Sequence, residues 1–220
     1  MSRTLRALAV LGGTFDPIHY GHLRLAADVR AALGLAEVRL VPAGVPPHRP
    51  PPVASAEDRF AMTVLGCEEF AGLAADRVEI DRPGPSYTVA TLEALHRRDP
   101  SRPLALVVGG DAFAGLAQWW RWERLFTLAH FIVVERPGAP TIERALVDPV
   151  RAEWRSRLVA DASQLERASA GSIVRIAVTP QPIAARVIRA ELAKGDVDRV
   201  RGLLPASVLD YIDRNRLYRP

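Results

Sequence analysis

Short hydrophobic runs alternate with amphipathic stretches along most of the chain. The runs are rich in β-branched residues and predict strands, whereas the stretches carry apolar residues at helical spacing and predict helices. The predicted strands are residues 8–11, 38–41, 78–80, 104–108, 131–134 and 173–178. The predicted helices are residues 23–33, 57–70, 88–97 and 150–165, then a helix after Ile183 and a last helix that starts at Pro205.

Strands that alternate with helices are typical of βαβ units and a parallel sheet. The pattern therefore predicts an α/β fold, a Rossmann-like doubly wound parallel sheet with helices on both faces and a small C-terminal helical portion. One domain is expected over residues 1–220, with the helical segment from about residue 183 to 220 packed on it. In that segment Val208, Leu209 and Ile212 form the apolar face of the last helix.

Composition narrows the function classes. The single cysteine, Cys67, excludes an internal disulfide framework and a zinc site built on several thiolates. No apolar run approaches the roughly 18 residues of a membrane helix, so a cytoplasmic protein without a membrane partner is expected. The net charge is +4, but basic and acidic residues are interspersed, and a nucleic-acid face is not indicated. A small phosphorylated substrate is compatible with this balance.

Unusual loops follow four of the predicted strands. They read GGTFDPIHYGH from Gly12, PAGVPPHR from Pro42, GGDAF from Gly109 and PIAARVIR from Pro182. In open parallel sheets, ligands bind beyond the carboxyl ends of the strands, where the strand order reverses. We therefore expect these loops to converge on one site.

The first of these loops lacks the features of several familiar sites. Gly12-Gly13 is followed by Thr14 and Phe15 and does not form the glycine pattern of a dinucleotide-binding turn. The only lysine, Lys194, is far from the loop, which excludes a Walker P-loop here. His19 and His22 lack the third ligand and the sequence frame that a zinc site needs.

Phosphate binding is the remaining interpretation of this loop. Glycines let the backbone approach a ligand closely, and a helix is predicted to begin near Gly21. His19 and His22 then lie at a helix N-terminus, where free N–H groups favour anions. The two imidazoles are candidates to donate hydrogen bonds to phosphoryl oxygens. The alternative is a pair of histidines that only stabilise the loop.

The H-x-G-H pattern, here His19-Tyr20-Gly21-His22, resembles the signature of a nucleotidyltransferase superfamily. The longer string GGTFDPIHYGH resembles bacterial nicotinate-nucleotide adenylyltransferases. Other matching stretches follow in the same order and spacing: VPPHR at 45–49, PSYTVATL at 85–92, GGD at 109–111, the Trp119-Trp120 pair, RPG at 136–138 and LLPASVLDYIDRNRLY at 203–218.

The resemblance implies transfer of AMP from ATP to nicotinate mononucleotide, which forms deamido-NAD and pyrophosphate without a covalent intermediate. Catalysis would then consist of positioning and charge stabilisation. Mg²⁺ is the implied cofactor, bound through substrate phosphates, and no metal site made of protein side chains is expected. Whether the chain forms a homo-oligomer is left open.

The resemblance also assigns residues. His19 and His22 are implied as the catalytic pair. The implied ATP-binding residues are Gly12, Gly13, Thr14, Phe15, Gly109, Asp111, Ile183 and Arg189. The implied contacts to nicotinate mononucleotide are Arg49, Thr88, Trp119 and Trp120. From the residues alone, Asp111 could equally cap a helix, Arg49 could be a solvated loop residue, and tryptophan is more often part of a core.

One stretch departs from the family pattern. Ala184, Ala185 and Arg186 stand where hydroxyl residues are usual, so phosphate binding there would rest on backbone N–H groups and Arg189. This departure supports one alternative, a nucleotide-binding regulatory protein without turnover. The other alternative keeps the fold and changes the acceptor, as in phosphopantetheine adenylyltransferases or cytidylyltransferases.

Overall fold

The structure is a computed structural model that describes residues 4–47, 50–135, 142–178 and 181–219. The strands are β1 (Leu5–Gly13), β2 (Leu35–Pro42), β3 (Leu73–Ala75), β4 (Leu104–Gly109), β5 (His130–Glu135), β6 (Leu158–Val159) and β7 (Ile173–Ala177). The helices are α1 (Tyr20–Leu33), α2 (Ala56–Cys67), α3 (Thr88–Arg98), α4 (Gly110–Ala114), α5 (Trp122–Leu128), α6 (Val150–Arg157), α7 (Ala185–Ala193) and α8 (Ala206–Arg214). None of the helices within these ranges has the length and hydropathy needed to cross a bilayer.

The strands form one seven-stranded sheet in the order β3-β2-β1-β4-β5-β7-β6. The β1–β4, β4–β5, β5–β7 and β6–β7 pairs are parallel. The chain places β2 and β3 on one side of β1 and the later strands on the other, which is the order reversal of a doubly wound sheet. The predicted fold class is confirmed.

The centre of the sheet is almost continuously apolar. Along β1 and β4, Leu8 pairs with Leu104 and Ala9 pairs with Ala105. All four residues are buried, as expected for parallel strands that are covered on both faces. This double burial explains why these strands appear in the sequence as uninterrupted hydrophobic runs and not as alternating patterns.

The chain divides into two compact units. The first unit comprises residues 1–11, 28–38 and 87–179, and the second comprises residues 12–27, 39–86 and 180–220. Three elements, β1, α1 and β2, pass from one unit into the other. The single domain expected from the sequence stays a prediction.

An aromatic cluster forms much of the core of the first unit. Phe113 in α4 packs edge-to-face against Phe131 in β5 and Trp154 in α6, with ring centroids 5.4 and 5.5 Å apart. Phe126 in α5 lies 4.6 Å from Phe131. All four rings are buried, so the cluster joins three helices to one strand.

The second unit contains the C-terminal helices. As predicted, Pro205 stands directly before α8, where its missing N–H costs nothing. Val208 and Ile212 are buried, whereas Leu209 is only partly covered. The Tyr211 hydroxyl on α8 donates to Asp58 Oδ1 on α2 at 2.9 Å and fixes the two helices to each other.

Two predicted elements are wrong. Residues 78–80 form a turn, because the Asp76 carboxylate accepts the N–H of Val78 at 2.9 Å, and the strand lies earlier, at β3. The helix predicted over residues 150–165 ends at Arg157. The chain then pairs Leu158 and Val159 with β7, and a 3₁₀ turn follows over Ala162–Glu166. Thus β6, and not the last strand in the chain, forms that edge of the sheet.

We expect Trp154→Ala to destabilise the protein by about 3–5 kcal/mol, because it removes a fully buried ring and leaves a cavity against Phe113. The measurement is the free energy of unfolding from urea denaturation. Trp120→Ala is the matched control, since that side chain is 49% exposed. Equal losses in the two variants would show that the aromatic cluster does not stabilise the first unit.

Candidate active site

The loop between β1 and α1, residues 14–19, is called the histidine loop below. Phe15 has a left-handed backbone (φ 47°), and its buried ring folds back over Gly13. A Cβ at position 13 would lie 2.5 Å from Phe15 Cε1, so only glycine fits there. At Gly12, by contrast, nothing lies within 4 Å of an added Cβ, which leaves its backbone accessible to a ligand.

The two histidines lie together at the start of α1. His19 directly precedes the helix, and its carbonyl accepts the N–H groups of His22 and Leu23 at 2.9 and 3.2 Å. The two imidazole rings are stacked, with centroids 3.7 Å apart and planes inclined by 25°. The Phe15 ring meets the His22 ring edge-on at 5.0 Å. The helix start and the Phe15 ring together define where the pair lies.

A steric contact explains why a glycine lies between the two histidines. A Cβ at Gly21 would lie 2.9 Å from both Nδ1 and Cε1 of His19. Any larger residue would therefore overlap the His19 ring and force it to shift. The same Cβ would lie 3.6 Å from Cβ of Ile183, so Ile183 is next to Gly21, and its predicted contact with ATP stays a prediction.

The histidine pair is electrically neutral at neutral pH. Burial lowers the pKa of His19 to about 4. Burial, together with the proximity of His19, lowers the pKa of His22 to about 3. The Nδ1 atoms of both rings are buried and have no hydrogen-bond partner among the described residues. Buried polar atoms are usually satisfied, so these two are positioned for a ligand outside the chain.

Asp16 connects the histidine loop to other parts of the second unit by hydrogen bonds. Its buried carboxylate accepts the N–H groups of Val53 and Ala54 at 2.8 and 3.2 Å and the hydroxyl of Tyr218 at 2.7 Å. Its carbonyl accepts a hydrogen bond from Arg189 at 2.5 Å. Arg189 thus contacts the loop backbone, and its predicted contact with ATP stays a prediction.

Arg59 on α2 supports the same loop. Its side chain is buried and donates to the carbonyls of Thr14, Ala54 and Gly44, at 2.8, 3.3 and 3.3 Å. Position 44 also requires glycine, because a Cβ there would lie 2.4 Å from the carbonyl oxygen of Glu79. One guanidinium therefore connects three backbone segments of the second unit.

Helix α7 begins directly after the altered stretch. Ala184 precedes its first residue and offers no side-chain cap, so the first N–H groups of this nine-residue helix have no partner within it. Arg186 lies in the first turn with an exposed side chain. Where hydroxyl side chains are usual in the family, the backbone N–H groups at the start of α7 therefore remain as donors.

In the first unit, Thr88 begins α3, and Gly109 ends β4 with open space around it. Asp111 is the second residue of α4, because Gly109 occupies the capping position. The alternative that Asp111 caps this helix is therefore wrong. Its carboxylate is exposed to solvent.

The tryptophans divide into surface and core. Trp120 is exposed, and its ring lies 4.7 Å from that of Tyr87, the residue before α3. The Arg121 guanidinium lies over the same ring at 5.5 Å. Trp119 is half-buried, whereas Trp122 is buried against Phe126. The exposed Trp120 ring and the start of α3 thus lie together, and Trp122 belongs to the core.

The predicted residues fall into two sets. The second unit brings together Gly12, Gly13, Thr14, Phe15, His19, His22, Ile183 and Arg189. The first unit holds Thr88, Gly109, Asp111, Trp119 and Trp120. Arg49 lies outside the described residues. The roles assigned to all of these residues, and the convergence of the two sets on one ligand, stay predictions.

Three supporting residues were missed. Asp16 and Tyr218 both stand in stretches that the sequence singled out, but no local pattern indicates that they are partners. Arg59 lies in a predicted helix and has the appearance of an ordinary charged surface residue. Only the structure shows that the Arg59 side chain is buried.

Comparison with known proteins gives consistent matches. A family model described as cytidylyltransferase-like matches residues 10–184. A protein of Dechloromonas aromatica named probable nicotinate-nucleotide adenylyltransferase is 47% identical over 213 residues, which cover 96% of this chain and 97% of the relative. A protein of the same name from Acidithiobacillus ferrooxidans is 44% identical over 218 residues, or 99% of this chain and 98% of the relative.

Solved structures share the fold at low identity. The nicotinic acid mononucleotide adenylyltransferase of Plasmodium falciparum complexed with NaAD superposes with a TM-score of 0.69 and 17% identity. The alignment covers 97% of each chain. A second structure of that enzyme, complexed with APC, gives a TM-score of 0.66 and 16% identity. These likenesses support the Rossmann-like architecture.

We expect Gly21→Ala to separate the stacked histidines, because the new methyl group would overlap the His19 ring. Gly115→Ala is the matched control, since the nearest neighbour of its added Cβ is at an ordinary 3.7 Å. Histidine ring signals in NMR spectra of labelled protein measure the effect. Unchanged His19 and His22 signals in Gly21→Ala would contradict the steric role of this glycine.

Acid should destabilise the protein through the histidine pair. The pKa values of His19 and His22 are lower in the folded than in the unfolded protein, so below pH 6.5 the unfolded chain binds more protons. Stability should therefore fall as the pH is lowered from 6.5 toward the folded pKa values. At pH 5 the loss should be about 2 kcal/mol for each histidine.

Urea denaturation at pH 7.5 and pH 5 measures this loss. His22→Asn should reduce the difference between the two pH values, because it removes one titrating ring. His96→Asn, which changes an exposed histidine, is the matched control for the substitution. An unchanged difference in His22→Asn would show that His22 does not titrate as its burial implies.

Proposed function

Because this chain belongs to the cytidylyltransferase-like family and, within it, to the nicotinate-nucleotide adenylyltransferases, we propose that it transfers AMP from ATP to nicotinate mononucleotide in NAD biosynthesis. The products are deamido-NAD and pyrophosphate. One structural observation carries the proposal: the stacked histidines at the start of α1, whose buried Nδ1 atoms have no partner among the described residues.

The reaction is a displacement at phosphorus. A phosphate oxygen of nicotinate mononucleotide attacks the α-phosphorus of ATP, and the bond from that phosphorus to the bridging oxygen of pyrophosphate breaks. The attacking phosphate needs no deprotonation, so no general base is required. The protein acts by orienting the two phosphates and by stabilising charge in the transition state.

His19 and His22 are the proposed catalytic residues. As neutral imidazoles, each can donate one N–H to a phosphoryl oxygen. Buried donors of this kind act in a low dielectric, where a hydrogen bond to developing negative charge is stronger than in water. Gly12 would let the phosphates approach the backbone, and the first N–H groups of α7 would add further donors.

The residues of the first unit are proposed to recognise the sugar and the pyridine ring. Asp111 is exposed and can accept from ribose hydroxyls, and Gly109 leaves space for them. Thr88, at the N-terminus of an eleven-residue helix, and the backbone of Trp120 would donate to the nicotinate carboxylate. Trp119 would stack on the ring, and Arg49 would bind the acceptor phosphate.

Magnesium fits this site through the substrate. Within the described residues no three His, Cys, Asp or Glu side chains are grouped as metal ligands. The carboxylate of the histidine loop, Asp16, is already engaged by three donors. Mg²⁺ binds readily to phosphate oxygens and keeps several waters, and when bound to ATP it would offset the charge of the phosphates.

The alternatives differ from this proposal in measurable ways. A phosphopantetheine adenylyltransferase or cytidylyltransferase would use another acceptor or nucleotide. A regulatory protein would bind ATP without turnover. The half-buried Trp119 ring, which is proposed to stack on the pyridine, favours an acceptor with a flat aromatic ring, which phosphopantetheine lacks.

We expect pyrophosphate release from ATP and Mg²⁺ with nicotinate mononucleotide, and much less with nicotinamide mononucleotide or phosphopantetheine. His22→Ala should lower kcat by about a hundredfold or more, because it removes a donor to the transition state. His96→Ala, an exposed histidine at the end of α3, is the matched control and should keep full activity. ATP binding without release from any acceptor would favour the regulatory alternative.

A further inference from the structure

The carboxylate of Asp16 is buried and fully engaged. It is 5% exposed and receives two backbone N–H groups, from Val53 and Ala54, and one side-chain hydroxyl, from Tyr218. Hydrogen bonds to a charged acceptor in the protein interior are among the stronger ones. Arg189 Nη1 also lies 3.8 Å from Asp16 Oδ2, at ion-pair distance, so Tyr218 is the side-chain hydrogen-bond donor among these partners.

Asp16 is mechanically linked to both histidines. On one side, its neighbour Phe15 places a ring edge-on against His22. On the other side, two residues, including the fully buried Ile18, separate it from His19. A shift of Asp16 would therefore move the ring that packs on His22 and the backbone that carries His19.

Tyr218 is held in an unusual conformation. Its backbone is left-handed (φ 62°), which is costly for a bulky residue and persists only where the surroundings require it. The side chain is 7% exposed. Burial raises the pKa of Tyr218, and the neighbouring Asp16 carboxylate raises it further, so the hydroxyl remains a donor at any working pH.

A second tyrosine provides the comparison. Tyr211 also donates to an aspartate of the second unit, Asp58 Oδ1, at 2.9 Å. That aspartate is on α2 and also accepts the Ser55 hydroxyl, so this bond joins two helices. The two tyrosines thus make the same kind of bond from the same C-terminal segment, but only Tyr218 reaches the histidine loop.

We propose that Tyr218 is a positioning residue for the transfer reaction: by donating to Asp16 it holds the histidine loop in the conformation that presents His19 and His22 to the phosphates. The inference rests on the proposed function for its effect on rate. Its effect on the position of the histidines does not depend on that function. Tyr218 thus acts through Asp16.

Steady-state kinetics of Tyr218→Phe and Tyr211→Phe test the proposal. Phenylalanine keeps the ring and removes only the hydroxyl. We expect Tyr218→Phe to lower kcat about tenfold, and to change the KM for nicotinate mononucleotide by less than about twofold, since the loss falls on the histidines in the transition state. Tyr211→Phe should keep kcat within about twofold, and urea denaturation of both variants reports any loss of stability. Equal kcat values in the two variants would overturn the proposal.

Asp16→Asn provides an independent route to the same bond. It removes the charge that the Val53, Ala54 and Tyr218 bonds share, and it should lower kcat at least as far as Tyr218→Phe does. The double variant should lose less than the sum of the two single losses, because both changes weaken the bond between Tyr218 and Asp16. Additive losses in the double variant would contradict a shared role. If Tyr218→Phe does not fold, Asp16→Asn compared with Tyr211→Phe decides the question.

Histidine ring signals in NMR spectra give a readout that is independent of activity. Signals of His19 and His22, assigned from single variants, should shift in Tyr218→Phe and stay unchanged in Tyr211→Phe, while that of His130 in the first unit stays unchanged in both. Unmoved His19 and His22 signals in Tyr218→Phe would overturn the positioning role. Signals that shift in Tyr218→Phe, while the wild-type protein releases no pyrophosphate, would instead preserve the positioning role and reject the proposed function.

Discussion

The conformation of the histidine loop depends on one buried carboxylate. An ionised group inside a protein is tolerated only where donors replace the water it has lost, and Asp16 has three such donors on its oxygens. These donors come from the segment before α2 and from the C-terminal end, while Arg189 of α7 holds the Asp16 carbonyl. Partners from distant parts of the second unit therefore help to set the shape of the loop.

The histidine pair illustrates why the loop must be held so firmly. The two rings are stacked, neutral and largely shielded from water. Neither charge nor hydration therefore fixes their position. The Phe15 ring, the room left by Gly21 and the first turn of α1 supply the constraints. An arriving phosphate would find donors that are already oriented and that lose few bonds to water, which is the preorganisation that transfer chemistry requires.

The sequence predicts the fold and the histidines well because their signals are local. Hydrophobic runs mark β1, β4 and β5, and the H-x-G-H spacing places both rings on one turn of helix. Predictions fail where a side chain redirects the backbone, as Asp76 does before Val78, or where a pairing is decided by a later strand, as for Leu158. Arg59 and Tyr218 could not be predicted as partners of the histidine loop. Their bonds join residues far apart in the sequence, and no periodic pattern in the sequence indicates such pairs.

The bond between Tyr218 and Asp16 joins residues 202 positions apart in the chain. A ribosome that has just completed the histidine loop must still add about 200 residues before the third donor of its carboxylate exists. Most of the β strands can pair earlier, whereas the loop waits for a partner that is made much later. A nascent chain would therefore contain a recognisable fold before it could orient its histidines.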